Sequence, residues 1–161
     1  MRGMMLKHGM APGPFLHYVH DIDLTAVPDG SELDAALGRL PGRKLVFTNG
    51  SVPHAERILD KLGVSRHFDA IFDIVAADYV PKPAPGPYNE LIRRYGIEPT
   101  RAAMVEDIAR NLVPAAALGM TTVWVPTHED WSAAGVDQDF VDRHIDHVAD
   151  DLVSFLGKLT G

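Results

Sequence analysis

The sequence predicts an α/β protein in which helices cover both faces of a parallel sheet, giving three layers. From Ser31 onward, short apolar runs alternate with segments whose apolar residues recur at helical spacing. This alternation is typical of βαβ units. With 161 residues, 46% of them hydrophobic, the chain is long enough to form one domain with its own core.

The first half of the chain predicts two helices and two strands. Apolar residues at positions i, i+3, i+4 and i+7 predict a helix that starts at Ser31, and a Pro-Gly pair ends it. The run KLVFTNG at 44–50 predicts the first strand. Ser51 as N-cap and Gly63 as stop signal delimit a second helix. The run IFDIVAAD at 71–78 predicts the second strand.

The second half repeats this order. After the proline-rich stretch PKPAPGP, apolar residues at helical spacing predict a helix that Gly96 ends. The run AAMVED at 102–107 predicts a third strand, and the helix after it should stop at Gly119. The run TTVWV at 121–125 predicts the fourth strand, and residues 152–159 predict a last amphipathic helix.

Composition excludes several classes of function. A net charge of −7 without a Lys/Arg cluster argues against a nucleic-acid partner, although it leaves small anionic substrates possible. Without cysteine the chain has neither disulfides nor a thiolate nucleophile, which is compatible with a reducing cytoplasm and predicts a cytoplasmic location. A helix that spans a bilayer needs about 20 consecutive apolar residues, and no run in the sequence approaches that length. No membrane partner is therefore expected.

Polar side chains follow the predicted strands, at the edge of a parallel sheet where ligands bind. Thr48, Asn49 and Gly50 close the first strand before a helix, where a hydroxyl and free backbone N–H groups suit a phosphate oxygen. Lys82, flanked by prolines that restrict the backbone, follows the second strand. The alternatives are ordinary turn chemistry for the first group and a solvated surface position for the lysine.

The third strand ends in an acidic pair, Glu106 and Asp107, and Asn111 follows one helical turn later. Mg²⁺ takes oxygen ligands and keeps several waters, so these three residues are candidate metal ligands. Favourable placement of an acid in the first turn of a helix is the alternative explanation for Asp107. A hydroxyl, a lysine and an acidic pair at successive strand ends could together surround one phosphoryl group and its metal.

The order FTNG…PKPAP…MVEDIARN…ALGMTTVWV resembles the haloacid dehalogenase superfamily of phosphohydrolases, and within it the pyrimidine 5′-nucleotidase branch of helical-capped members. The resemblance is clearest from about His20 to Val125. It implies a Rossmann-like three-layer core with a parallel sheet. It also implies a Mg²⁺-dependent phosphomonoester hydrolase that acts on a small phosphorylated substrate, possibly a nucleoside monophosphate.

The resemblance also implies roles for individual residues. Thr48, Asn49, Gly50 and Lys82 would bind the phosphoryl group, and Thr48, Lys82 and Asp107 would be the catalytic residues in this chain. Asp107, with Glu106 or Asn111, would bind Mg²⁺. The family's nucleophile is the first aspartate of a D-x-D-x-T motif that closes a buried strand near the N-terminus.

The segment HDIDLT, His20–Thr25, contains such a motif, with Asp21 as nucleophile and Asp23 as acid/base. Its surroundings favour a different interpretation, because Phe15, Leu16 and Val19 fit an amphipathic helix that leads into a turn. Only a loop and one helix separate this segment from Thr48, whereas capped relatives insert the whole cap there. His17 and His20 do not complete a metal-ligand set, and all eight histidines are expected at or near the surface.

The favoured interpretation is therefore an N-terminally truncated family member, inactive or impaired. Residues 1–28 would be a helical remnant of the cap with its return linker, and residues 29–161 the α/β core. The strand that ends at Thr48 and the one that ends at Asp107 should then not be hydrogen-bonded neighbours. A homo-oligomer or a strand from another polypeptide could complete the sheet. The alternatives are a capless phosphatase that uses Asp21 and Asp23, or a non-catalytic phosphate-binding, metal-binding or interaction module.

Overall fold

The computed structural model describes residues 5, 7–9, 11–127 and 132–159. They form two compact units, one comprising the described residues up to Pro81 together with Leu159, and the other those of Lys82–Lys158. Parallel sheets and helices make up both, so the predicted α/β class is confirmed. Within the described ranges, every helix is too short or too polar to cross a bilayer.

The first unit contains a two-stranded parallel sheet and three α-helices within its described residues. Its elements are α1 (Pro12–His20), α2 (Ser31–Arg39), β1 (Leu45–Phe47), α3 (Val52–Leu62), a 3-10 turn (Ser65–His67) and β2 (Ala70–Phe72). The register of the sheet pairs Leu45 with Ala70 and Phe47 with Phe72. Its core is built from apolar side chains of these elements, among them Ala36, Leu37, Ala55, Val64 and Phe72.

Two glycines fix the ends of helices in this unit. Gly30 precedes α2 where a Cβ atom would lie 2.2 Å from the carbonyl oxygen of Leu62, so no larger residue fits without a shift of the backbone. Gly63 ends α3 as predicted, because its φ of 70° is a left-handed conformation that glycine adopts without steric cost.

The second predicted strand is shorter than expected. Residues 71–78 were predicted to be extended, but β2 ends at Phe72 and residues 74–79 form turns. Asp73 causes the change, because its buried carboxylate accepts hydrogen bonds from the backbone N–H groups of Val52 (3.0 Å) and Ala76 (2.9 Å). The chain therefore turns directly after β2.

The second unit contains a three-stranded parallel sheet in the order β3-β4-β5. Its elements are α4 (Pro85–Tyr95), a 3-10 turn (Pro99–Arg101), β3 (Ala103–Glu106), a 3-10 turn (Ala109–Leu112), α5 (Val113–Ala117), β4 (Thr121–Trp124), α6 (Gln138–His144), β5 (His147–Val148) and α7 (Leu152–Lys158). The predicted helix between the third and fourth strands is broken into a 3-10 turn and the short α5. Pro114 suits the first turn of α5, where its missing N–H is no loss.

The periodicity of the sequence did not indicate α6 or β5. Polar side chains help to attach β5 to β4. The carboxylate of Asp146 accepts a hydrogen bond from Thr122 N (2.8 Å), and the N–H of Asp146 donates to Thr122 Oγ1 (2.9 Å). Exposed residues make up β5, so its sequence has no apolar run.

The segment HDIDLT does not close a strand. Its first residue, His20, ends α1, which confirms the predicted amphipathic helix, and the chain turns at residues 25–27. That the strands ending at Thr48 and at Asp107 are not hydrogen-bonded neighbours stays a prediction. The boundary between a cap remnant and a core at residue 28 stays a prediction.

Candidate active site

The residues predicted to carry chemistry form one group in each unit. Thr48, Asn49 and Gly50 follow β1 in the first unit. Lys82, Glu106, Asp107 and Asn111 lie in the second. The structure brings residues together within each group, and the joining of the two groups around one phosphoryl group stays a prediction.

A buried ion pair forms the centre of the second group. Lys82 Nζ donates to Glu106 Oε2 at 2.5 Å, and the two side chains are only 8% and 6% exposed. The other carboxylate oxygen of Glu106 accepts from Asn111 Nδ2 (3.0 Å) and from the N–H of Ile108 (3.3 Å). Both oxygens are thus satisfied, as buried charge requires. Glu106 closes β3 and Asn111 lies on the following 3-10 turn, so one loop holds both residues.

Burial dominates the electrostatics of this group. It raises the pKa of the Glu106 carboxyl above its usual range, against the opposing effect of the Lys82 ammonium and the Asn111 amide. Tyr88 donates its hydroxyl proton to the backbone oxygen of Asn111 at 2.6 Å. Burial, and then the nearby charge of Glu106, raise the pKa of Tyr88, which keeps its proton and remains a donor. Tyr88 is one of the apolar residues whose helical spacing predicts α4, and the spacing alone did not indicate its bond to Asn111.

Asp107 differs from its neighbour because its side chain is exposed. Trp124 on β4 donates its indole N–H to the backbone oxygen of Asp107 at 3.0 Å, which positions the backbone after β3. An exposed carboxylate at the carboxyl end of a strand fits Mg²⁺, which binds through one or two carboxylates and keeps its waters. Glu106 and Asn111 hydrogen-bond to each other, and their predicted role as metal ligands stays a prediction. No three His, Asp or Glu side chains converge within the described part of the chain.

The first group is a tight turn after β1. The N–H of Thr48 donates to the backbone oxygen of Phe72 (3.0 Å), and Thr48 Oγ1 accepts from the N–H of Gly50 (2.9 Å). The prediction that the N–H of Gly50 is free for a phosphate oxygen is therefore wrong. The hydroxyl of Thr48 still has its own proton to donate, because in the bond with Gly50 its oxygen is the acceptor. Asn49 is exposed beside it.

Two histidines adjoin this turn, and the sequence analysis missed their role. The imidazole rings of His20 and His54 stack with centroids 4.2 Å apart and planes 10° from parallel. Ser51 is the N-cap residue of α3, as predicted, but its Oγ lies 3.0 Å from His20 Nδ1 and makes no capping hydrogen bond to the helix. Asp73 bonds to the N–H of Val52 at that end of the helix instead. No spacing links positions 20 and 54, so only the fold could reveal the contact.

Both histidines are shifted toward the neutral form. Burial lowers the pKa of His20, and the neighbouring His54 lowers it further. Burial, followed by the charge of Arg57, lowers the pKa of His54. Among the residues that the structure describes, His54 Nδ1 is buried without a hydrogen-bond partner. An unpaired buried nitrogen is costly unless a ligand or water satisfies it.

Asp21 and Asp23 both have exposed side chains. Both oxygens of Asp23 accept hydrogen bonds from Thr25, one from its N–H (2.9 Å) and one from its hydroxyl (2.7 Å), in an exposed turn. These bonds lower the pKa of Asp23. The side chain of Asp21 is exposed after the end of α1.

Comparison with known proteins gives the family. A family model described as haloacid dehalogenase-like hydrolase matches residues 18–119. Fructose-1-phosphate phosphatase YqaB of Escherichia coli (strain K12) is 38% identical over 88 residues, which are 53% of this chain and 44% of that protein. The chain thus spans less than half the length of this relative.

Solved structures show the same fold. A predicted phosphoglycolate phosphatase from Haemophilus somnus 129pt is similar with a TM-score of 0.64 and 21% identity, over 80% of this chain and 55% of that one. The L-2-haloacid dehalogenase from Xanthobacter autotrophicus with chloropropionic acid covalently bound is similar with a TM-score of 0.62 and 19% sequence identity. The match covers 81% of this chain and 60% of that one. With the family model covering the turn after β1, Lys82 and the acidic end of β3, the chain belongs to the haloacid dehalogenase-like hydrolase family.

Proposed function

We propose that the chain forms the core of a Mg²⁺-dependent phosphomonoester hydrolase. The observation that carries the proposal is the buried Lys82–Glu106–Asn111 network beside the exposed carboxylate of Asp107. A lysine fixed by a buried carboxylate beside an open carboxylate suits the binding of a phosphoryl group together with a divalent cation. The 38% sequence identity with a fructose-1-phosphate phosphatase over 88 residues supports the same reaction class.

Each residue has a distinct task in this proposal. Thr48 donates its hydroxyl proton to a phosphoryl oxygen, and Lys82 offsets the negative charge that accumulates during transfer. Asp107 holds Mg²⁺, which when bound supplies further positive charge to the phosphoryl oxygens. Glu106, Asn111 and Tyr88 keep Lys82 and the loop after β3 in place through their hydrogen bonds.

The nucleophilic aspartate is, in this proposal, on a strand that is not among these 161 residues. Asp23 is held in an exposed turn and HDIDLT does not close a strand, so neither aspartate meets the requirement of a buried strand end. A chain without the nucleophile would be inactive or impaired. Residues 1–28 would then be the end of a helical cap, and a second copy or another polypeptide could supply the missing strand.

The substrate class is a small phosphate monoester. The sequence resemblance favours a nucleoside monophosphate, as in the pyrimidine 5′-nucleotidase branch, whereas the named relative favours a sugar phosphate. A cytoplasmic location suits either substrate. The capless alternative with Asp21 as nucleophile, and a non-catalytic phosphate- or metal-binding module, remain the competing hypotheses.

Chemical-shift mapping by NMR tests the proposed site. Inorganic phosphate, titrated in the presence of Mg²⁺, should shift the backbone resonances of Thr48, Lys82 and Asp107 with one common dissociation constant. Thr48→Val, which removes the hydroxyl at nearly constant volume, should weaken this binding, while Thr127→Val serves as a matched control. Shifts confined to one unit, or equal binding by both variants, would contradict the proposal.

A further inference from the structure

We propose that His20 is an anion-binding residue of the turn at Thr48–Gly50, donating a hydrogen bond from Nε2 to a phosphate oxygen. This inference rests on the proposed function and deepens it, because it assigns a phosphate contact to a residue outside the motifs that identify the family. His20 ends α1, and Thr48–Gly50 follow β1, so the contact joins segments far apart in the sequence.

The space around Gly50 carries the argument. A Cβ atom at Gly50 would meet Thr48 Oγ1 at 3.2 Å, His54 Cδ2 at 3.4 Å and His20 Nε2 at 3.5 Å. The absence of a side chain at position 50 thus leaves a small recess walled by a hydroxyl and by the edges of two imidazoles. Among the described residues, His20 Nε2 has no hydrogen-bond partner, so it is available to a group in this recess.

The hydrogen bond at the other ring nitrogen determines what His20 offers. If Ser51 donates its hydroxyl proton to His20 Nδ1, the neutral ring carries its proton on Nε2 and presents a donor. The hydroxyl proton of Thr48 is a second donor beside the same recess, because its oxygen already accepts from Gly50. Two convergent donors select an anion rather than a cation. The nearby carboxylate of Asp73 does not alter this, since it is bonded to the N–H groups of Val52 and Ala76.

Packing holds the His20 ring in this orientation. His54 stacks on one face of the ring. Arg57 donates from its two terminal nitrogens to the backbone oxygens of His20 (2.9 Å) and Ile22 (3.1 Å), which anchors the end of α1 to α3. Arg57 and His54 are also the charged or titratable groups that oppose protonation of this histidine pair. His20 therefore acts as a preoriented neutral donor.

Nitrogen-15 NMR of the histidine side chains, with inorganic phosphate as the probe, tests the inference on the whole chain. The free protein should show His20 as the Nε2–H tautomer, and phosphate should shift the His20 Nε2 resonance. His20→Ala should weaken phosphate binding about tenfold, since a lost hydrogen bond to a charged group has this size. His20→Gln, which retains an N–H donor, should restore part of the affinity. His17→Ala, on the exposed side of α1, is the matched control and should bind as the unaltered chain does.

The outcomes separate this inference from the proposed function. If Thr48→Val weakens phosphate binding while His20→Ala and His20→Gln do not, His20 is not a phosphate contact and the phosphoryl site itself stands. An Nδ1–H tautomer that phosphate leaves unshifted also overturns the inference. If the unaltered chain binds no phosphate at millimolar concentration, both proposals fail. Circular dichroism of each variant distinguishes lost binding from lost folding, and the tautomer measurement needs no variant.

Discussion

The two polar groups of this protein differ in how completely their hydrogen bonds are satisfied. In the Lys82–Glu106–Asn111 group, both oxygens of the buried carboxylate have partners within the protein. In the group around Gly50, His54 Nδ1 is buried with no partner in the described part of the chain, and Nε2 of His20 faces a recess. The Lys82–Glu106–Asn111 group has the features of a rigid support, whereas the group around Gly50 offers atoms that a ligand can satisfy.

This difference indicates which of the two groups contributes mainly to the stability of the fold and which mainly to ligand binding. A buried ion pair contributes little net stability when intact, but removal of one partner leaves an uncompensated charge. In the histidine pair, by contrast, an unpaired ring nitrogen gains a partner only when a ligand or water binds. Substitutions in the Lys82–Glu106–Asn111 group should therefore act mainly on folding, and substitutions around Gly50 mainly on binding.

The largest expected effect is the loss of protein stability when the Lys82–Glu106 ion pair is broken. Lys82→Met leaves the Glu106 carboxylate buried without its cation and should lower the free energy of unfolding by about 3–5 kcal/mol. The double variant Lys82→Met/Glu106→Leu removes both charges and should recover most of that loss. Urea unfolding followed by circular dichroism measures all of these values.

The matched control for this pair is Arg143→Met, which breaks an exposed ion pair with Asp139. Solvent screens that pair, so the change in unfolding free energy should be small. If Lys82→Met costs no more than Arg143→Met, or if the double variant is no better than the single one, the description of the group as a buried support is wrong.

The second expected effect concerns Asp73 in the first unit. Asp73→Ala removes the acceptor for the N–H groups of Val52 and Ala76 and should lower the unfolding free energy by about 1–3 kcal/mol. Asp73→Asn keeps one acceptor oxygen and should cost less. Thermal or urea unfolding checks the order of the two variants. Equal costs for the two variants would show that the negative charge of Asp73, which both remove, matters more at this turn than its hydrogen bonds.

A smaller effect should appear in the pH dependence of stability. The folded-state pKa values of His20 and His54 are lowered from 6.5, so below that pH the unfolded chain binds more protons. The unfolding free energy should therefore fall as the pH drops from about 7 to about 5. His20→Gln and His54→Gln should each flatten this part of the curve, and exposed His17→Gln should leave it unchanged. If none of these variants alters the curve, the stacked histidines His20 and His54 do not cause the fall in stability at low pH.

The weakest expected effect is the binding of Mg²⁺ to this chain. Asp107 is exposed and, in the proposed function, the nucleophile would supply a further ligand from outside these residues. Calorimetric titration should therefore detect weak binding or none, and Asp107→Asn should remove whatever binding is present. Tight stoichiometric binding that Asp107→Asn abolishes would show that the metal site is complete in this chain.

The sequence predicted those parts of the fold that depend on local patterns. Amphipathic spacing placed α2, α3 and α4, and Gly63 and Gly96 end two of them in left-handed conformations as expected. It failed where a single side chain decides the backbone path. Asp73 turns the chain after β2, and Thr122 and Asp146 attach β5 to β4 without an apolar run.

The site was predictable to the extent that its residues close strands. Thr48 follows β1, and Glu106 closes β3, with Asp107 directly after it. The partners of these residues could not be predicted, because they come from distant positions. Tyr88 contacts Asn111 across 23 positions, and Ser51 contacts His20 across 31. Periodicity assigned Tyr88 to an apolar face, and nothing in the sequence distinguished His20 from the exposed His17.

The most direct test of the account is the initial rate of phosphate release from fructose 1-phosphate and from a nucleoside monophosphate, measured with Mg²⁺. In the proposed function the nucleophile is not among these residues, and Asp21 and Asp23 lie in an exposed segment after α1. The prediction is that the 161-residue chain and its Asp21→Asn variant release phosphate equally, at the rate of buffer alone. Turnover by the unaltered chain that Asp21→Asn abolishes would contradict it.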